Sequence, residues 1–225
     1  MMRLAALVTG GKDSILALYR AQNMGHSIEV LATMIPKRDD SYMFHFPNIH
    51  ITDHISRALE IPLVNAETSG IKEKELEDLK KLLSSLDVDG VVSGAIQSTY
   101  QKKRIGKICT ELGLESVAPL WHEDHLKLMN ELIDLDFKVI IIGVYAYGFD
   151  KSWLGKEINN ETLEKLGEMN KKYQVSLVGE GGEYESLVLD APIFKKRIEI
   201  IQAETNYENN RGVYAIKEAK LVDKN

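Results

Sequence analysis

An apolar segment, Leu4-Ala5-Ala6-Leu7-Val8, runs directly into the turn Thr9-Gly10-Gly11-Lys12-Asp13-Ser14, and a helical pattern starts immediately behind it. Ile15, Leu16, Leu18 and Tyr19 share one helical face, and Gly25 stands where that helix should stop. Strand, glycine turn, helix is the arrangement that turns backbone N–H groups and a helix N-terminus into an anion site. The glycine pair lets the backbone approach oxygens closely, and Lys12 adds a mobile positive charge. Thr9 and Ser14 carry hydroxyls for phosphate oxygens, and Asp13 is a candidate Mg2+ ligand. A Gly-Gly pair alone would suit any tight turn. Two hydroxyls, a lysine and an aspartate around it favour a phosphate-bearing ligand. The turn is neither G-x-x-x-x-G-K-[ST] nor G-x-G-x-x-G, so the commonest nucleotide-binding turns are excluded.

Downstream, apolar strands alternate with helical patterns. Residues 28–35 read as a second strand, residues 62–65 begin a third, 88–95 form a fourth and 115–118 a short fifth. Helical stripes lie between them, one ending before Pro62, one carrying Leu76, Leu79, Leu82, Leu83 and Leu86, and one over 100–112. This alternation predicts an α/β fold with a doubly wound, mainly parallel sheet, and ligands bind such sheets at the carboxyl ends of the strands. The 9–14 turn, the 34–40 loop and the 93–98 loop all fall at those ends. Pro119-Leu120-Trp121 breaks the rhythm and sets an expected boundary between a nucleotide-binding domain, 1–118, and a smaller α/β domain, 119–225. That second part reads as a helix over 124–135, a strand over 139–145, a loop over 146–155 and a helix over 161–173. Strands near 183–190, 198–203 and 214–221 complete it.

At 225 residues the chain suits one large or two small domains. Its net charge of −6 argues against a general nucleic-acid binder, which must neutralise phosphates. The single cysteine, Cys109, sits between Ile108 and Leu112 in a helical stretch and reads as a buried thiol. No stretch approaches the roughly 20 apolar residues of a membrane span. Arg3 precedes only a short apolar run that ends in glycines, so the protein is read as cytoplasmic. His50 and His54 flank Asp53 in H-I-T-D-H, which is not H-E-x-x-H.

The second concentration of chemistry is Gly179-Glu180-Gly181-Gly182-Glu183-Tyr184-Glu185-Ser186. Such acidic runs are commonly solvated turns. Three carboxylates interleaved with three glycines are nevertheless costly for a plain connector, and glycine lets backbone approach a ligand. If the strand has begun by Glu183, then Glu183 and Glu185 point to the same side. A third segment, Gln97-Ser98-Thr99-Tyr100-Gln101-Lys102-Lys103-Arg104, follows the fourth strand. Arg104 offers bidentate geometry for phosphate or carboxylate there. His45 lies on the loop after the second strand, placed for nucleotide or substrate.

The turn TGGKDS resembles the pyrophosphate-binding loop of the N-type ATP pyrophosphatases. Together with MFHFPN, SGAIQSTYQKKRI, PLW at 119–121 and GEGGEYESLVLDAPIFKKRI, it makes the chain similar to the diphthine–ammonia ligases through to about residue 200. The resemblance implies ATP and Mg2+ as cofactors and ammonium as nitrogen donor. It implies diphthine-bearing translation elongation factor 2 as the protein substrate, with AMP and pyrophosphate released through an acyl-adenylate, and no stable nucleic-acid or membrane partner. On that resemblance Gly10, Gly11, Lys12 and Ser14 hold phosphates with Thr9, and Asp13 holds the metal. Ala32 and Thr33 meet adenine, and Ser93 and Gly94 flank the α phosphate. Lys12, Arg104, Glu180, Glu183 and Glu185 form the expected catalytic set, with no division of labour among the glutamates. His45, Gln101, Gly181, Gly182 and Tyr184 are the expected substrate contacts. A tRNA-modifying ATP pyrophosphatase and a non-catalytic adenine-nucleotide-binding module are the alternatives. The first is disfavoured because Cys109 cannot supply a catalytic pair, the second because it leaves the three glutamates without a purpose.

Overall fold

The computed structural model describes residues 1–36, 47–69 and 74–224. They divide into two compact units, one of Met1–Thr9 with Asp13–His122, the other of Gly10–Lys12 with Glu123–Asn225.

The first unit contains β1 (Arg3–Leu7), α1 (Lys12–Asn23, less its first residue), β2 (Ser27–Pro36), α2 (Thr52–Leu59), β3 (Leu63–Thr68), α3 (Lys74–Ser84), β4 (Gly90–Val92), α4 (Thr99–Leu112) and β5 (Glu115–Val117). Its five strands are all parallel and lie in the order β3-β2-β1-β4-β5, the doubly wound sheet expected from the alternation. β1 is central, and the strand order reverses beside it, between β1 and β4. That is the switch point at which open α/β sheets expose a ligand crevice. Ala5, Val30, Ala32, Met34 and Val91 form one apolar cluster with Leu79, Leu82 and Leu83 of α3 and Ile105, Ile108 and Cys109 of α4. Leu4, Ala6 and Leu31, of opposite parity, are also fully buried, as are Ile15, Leu16 and Leu18 of α1 and Ile51 and Ile55 near α2. Burial on both faces explains why these strands read as continuous apolar runs. Cys109 is buried, and that burial pushes its thiol pKa up. α4 starts at Ser98, whose side chain accepts the Gln101 N–H, and stops at Gly113 in the left-handed region.

The second unit adds α5 (His125–Asp134), β6 (Lys138–Val144), α6 (Asn160–Tyr173), β7 (Tyr184–Asp190), β8 (Lys196–Glu208) and β9 (Arg211–Asp223). Asp124 and Asn159 cap the two helices by accepting the N–H groups of Lys127 and Thr162. The sheet is antiparallel, ordered β7-β6-β9-β8. β8 and β9 run 13 residues each, well beyond the 198–203 and 214–221 segments that the sequence marks as strands. Asn209 and Asn210, both at positive φ, join them in the tight turn that matches strand twist. Among the described residues no helix is long and apolar enough to cross a membrane.

Candidate functional site

In the first unit, the end of β1 is fixed from β2. Val8 donates its N–H to the Ala32 carbonyl at 3.0 Å, and the buried Thr33 hydroxyl donates to the Val8 carbonyl at 2.7 Å. The residues expected near adenine therefore spend these groups on shaping the strand that leads into the glycine turn. Gly94, just past β4, lies against the start of α1. A Cβ built there would meet the Asp13 carbonyl carbon and the Ser14 nitrogen at 2.7 Å each. Ser93 is 5% exposed and donates its N–H to the Val117 carbonyl. Ser93, Gly94, Asp13 and Ser14 are thus brought together by backbone proximity that only glycine allows.

On α4, Gln101 is in the capped first turn, and the Arg104 guanidinium stacks 3.5 Å from the Tyr100 ring centroid. Lys102 lies 4.0 Å from the ring centroid of Trp121, which stacks on His122. Both cations of this turn are thereby set against aromatic rings. His45 lies outside the described residues. No group of three or more His, Cys, Asp or Glu side chains among the described residues has metal-binding geometry.

The tripeptide Gly10–Lys12 belongs to the second unit and is bonded along β7. The Gly10 carbonyl accepts the Val188 N–H at 2.9 Å, and the Lys12 N–H donates to Ser186 Oγ at 3.3 Å. Lys12 is 2% exposed; its Nζ donates to the Val178 carbonyl at 2.5 Å and lies 5.3 Å from the Tyr184 ring centroid. Val178 begins the loop that carries the acidic motif.

That loop is held by its own groups. Glu183 accepts the Ser176 N–H on Oε1 at 3.0 Å and the Gly181 N–H on Oε2 at 2.8 Å. The Gly182 N–H donates to the Gly179 carbonyl at 3.0 Å, and Tyr184 Oη donates to the Leu177 carbonyl at 2.7 Å. Gly179 and Gly182 are at positive φ, and a Cβ on Gly179 would come within 2.8 Å of the Tyr184 carbonyl oxygen. β7 begins at Tyr184, one residue later than the same-side argument for Glu183 and Glu185 needs. Glu183 sits in the turn and folds back on it, while Glu185 is on the strand opposite Gly143 of β6.

Gly143 makes room for Tyr145, whose Oη would lie 2.6 Å from a Cβ at that position. Tyr145 donates its N–H to the Glu183 carbonyl at 2.8 Å. Its phenol oxygen is buried without a hydrogen-bond partner among the described residues. Burial, reinforced by the Glu185 carboxylate and opposed by Arg211, pushes the phenol pKa up to about 12. The sequence reading left Ser186, Ser176 and the Val178 carbonyl without roles. Ser186 was visible as the last letter of the motif. The Val178 carbonyl acts through backbone geometry and leaves no signal, whereas Ser176 lies outside the motif and acts through its N–H and through its hydroxyl, which accepts the Val178 and Glu180 N–H groups at 3.4 Å each.

A doubly wound parallel sheet with a glycine turn after its central strand defines a nucleotide-binding class of α/β architecture, to which a separate antiparallel unit is added here. Residues 2–116 match the diphthamide synthase N-terminal domain and residues 124–222 the diphthamide synthase C-terminal domain; the chain belongs to that family. It is 38% identical to the diphthine–ammonia ligase of Danio rerio, over 91% of this chain and 88% of that protein. It is 35% identical to the Homo sapiens diphthine–ammonia ligase, over 90% of this chain and 84% of that protein. The Schizosaccharomyces pombe diphthine–ammonia ligase is 35% identical over 96% of this chain, which spans only 39% of that longer protein.

Proposed function

We propose that the chain is an ATP-dependent ligase that converts the diphthine carboxylate of translation elongation factor 2 into an amide, using free ammonium. Supporting this is family membership over both units, joined to one observation. The lysine of the phosphate turn is hydrogen-bonded to the loop that carries the three glutamates.

In this reading the substrate carboxylate attacks the α phosphorus of ATP, and the bond to the β-phosphate oxygen breaks. An acyl-adenylate forms and pyrophosphate leaves. Ammonium first gives one proton to a carboxylate; the ammonia so formed attacks the acyl carbon, the bond to the AMP oxygen breaks, and the second surplus proton passes from the nitrogen to the departing phosphate or to water. The residues present fit ATP. N–H groups at the start of α1, the glycine pair, the Thr9 and Ser14 hydroxyls and Lys12 match phosphate oxygens, and the Gly94 approach leaves backbone rather than side chain facing them. Bound ATP supplies the activated phosphorus and the leaving group. Asp13 would hold Mg2+, an ion that commonly takes one or two carboxylates and leaves its other positions to phosphates and water. Arg104, oriented against the Tyr100 ring, has the planar guanidinium that suits bidentate donation to phosphate or carboxylate. Glu180 and Glu185 are assigned to the ammonium end. Ammonia is mostly protonated near neutral pH, so a carboxylate serves both to capture it and to take its proton. Gln101, Gly181 and Gly182 remain the proposed substrate contacts and the cytoplasm the proposed location; Tyr184, expected among those contacts, is 2% exposed with its hydroxyl on the Leu177 carbonyl and serves the loop instead.

The test is to incubate the chain with ATP, ammonium and diphthine-bearing elongation factor 2 and to weigh the factor. The expected result is an amide in place of the acid, with AMP released and no glutamine required. An unchanged mass at saturating ammonium refutes the proposal.

A further inference from the structure

We infer that Glu183 is a positioning residue that sets the phosphate-turn lysine through the backbone of the 176–182 loop, and is not the group that takes the ammonium proton. The inference rests on the ATP site proposed above and assigns one of its glutamates. Both Glu183 oxygens already accept backbone N–H groups, from Ser176 at 3.0 Å and Gly181 at 2.8 Å. Each oxygen is thus spent on tying down loop backbone, which is a structural use of the carboxylate and not a reach toward substrate. The two bonds span the loop from its first residue to its glycine pair and close it as a ring. Inside that ring lies Val178, whose carbonyl takes one of the three ammonium N–H donors of Lys12 and so orients the others. The neighbouring residue completes the arrangement. Tyr184 donates to Leu177 and carries its ring 5.3 Å from the same ammonium. The three glycines of the motif follow from this geometry. Two accept positive φ, and a Cβ on Gly181 would lie 2.9 Å from Glu183 Oε1.

A glutamine at 183 keeps one acceptor oxygen and turns an NH2 group toward the other backbone N–H. An aspartate keeps the charge but is too short to bridge both amides. Both variants should therefore loosen the loop and misplace Lys12. The test titrates wild type, Glu183→Gln, Glu183→Asp, Lys12→Ala and Lys12→Ala/Glu183→Gln with a non-cleavable ATP analogue. Thermal unfolding of each protein confirms that folded protein is compared. A positioning role predicts about fivefold weaker binding for both single Glu183 variants, and less than about twofold further loss when Glu183→Gln is added to Lys12→Ala. In turnover with diphthine-bearing factor, the ammonium KM of Glu183→Gln should stay within about twofold of wild type. Multiplying losses in the double variant, or a raised ammonium KM with unchanged nucleotide affinity, would overturn the assignment. The titration needs no protein substrate. Wild type that binds the analogue yet makes no amide would refute the proposed reaction and leave the Glu183 assignment standing.

Discussion

Gly94 and Asp13 approach so closely that a Cβ on the glycine would lie 2.7 Å from the aspartate's carbonyl carbon, closer than real Cβ contacts allow. Neither partner in this contact is a side chain that can swing away. Gly94→Ala must therefore push the strand-end loop off the start of α1. The expected cost is about 1–3 kcal/mol of stability, read by urea denaturation, because overpacking against backbone is relieved only by backbone movement. ATP affinity should fall at least about tenfold, because the displaced segment is the one proposed to receive the α phosphate.

Lys12→Ala removes the cation of the glycine turn and its bond to Val178. If the ammonium faces the β and γ phosphates, turnover should drop at least about tenfold, the scale of losing a preorganised charge from phosphoryl transfer. The nucleotide product should remain AMP in whatever activity survives. Chromatography of the reaction products measures both quantities, and unchanged kinetics would remove Lys12 from the site.

The parallel sheet was legible because burial on both faces leaves uninterrupted apolar runs such as Leu4 to Val8, and punctuation by glycine and proline separates them from striped helices. The long β8–β9 ribbon was underread. Its alternating residues are half exposed and charged, as at Glu199, Glu204, Lys217 and Lys220, so only its most apolar stretches stood out. The Asn209-Asn210 pair was the missed signal for the hairpin. At the site, the residue types of the turn and the acidic motif were visible, but their division of labour was not. Glu183 was put on a strand face one residue too early, and its capture by two backbone amides depends on glycine φ values that no spacing reveals. The Lys12 partner lies 166 residues away along the chain, beyond any local pattern.

Tyr145 should give the protein an alkaline weakness. Its phenol is raised from 10 to about 12, so the folded state holds the proton more tightly than the unfolded chain. The sign follows from that: the contribution is complete below the unfolded value near 10 and is lost as pH rises through about 12. Discounted for the ring's partial exposure, about 1–2 kcal/mol is at stake. Urea denaturation between these pH values should show wild type losing more stability than Tyr145→Phe, and equal losses would reject the burial argument.

Tyr184 makes two separable contributions, a hydrogen bond from Oη to Leu177 and a ring near the Lys12 ammonium. Tyr184→Phe removes the bond and keeps the ring. It should cost about 1 kcal/mol of stability, with the nucleotide affinity within about twofold of wild type. Tyr184→Leu removes the ring as well, leaving the buried cation without its aromatic neighbour. Cation–π contacts contribute about 0.5–2 kcal/mol with desolvation, so nucleotide affinity should fall about threefold to tenfold beyond Tyr184→Phe. Denaturation midpoints and nucleotide titrations on the two variants separate these contributions. Equal nucleotide affinity in Phe and Leu variants would mean that the ring packs in the core without acting on Lys12.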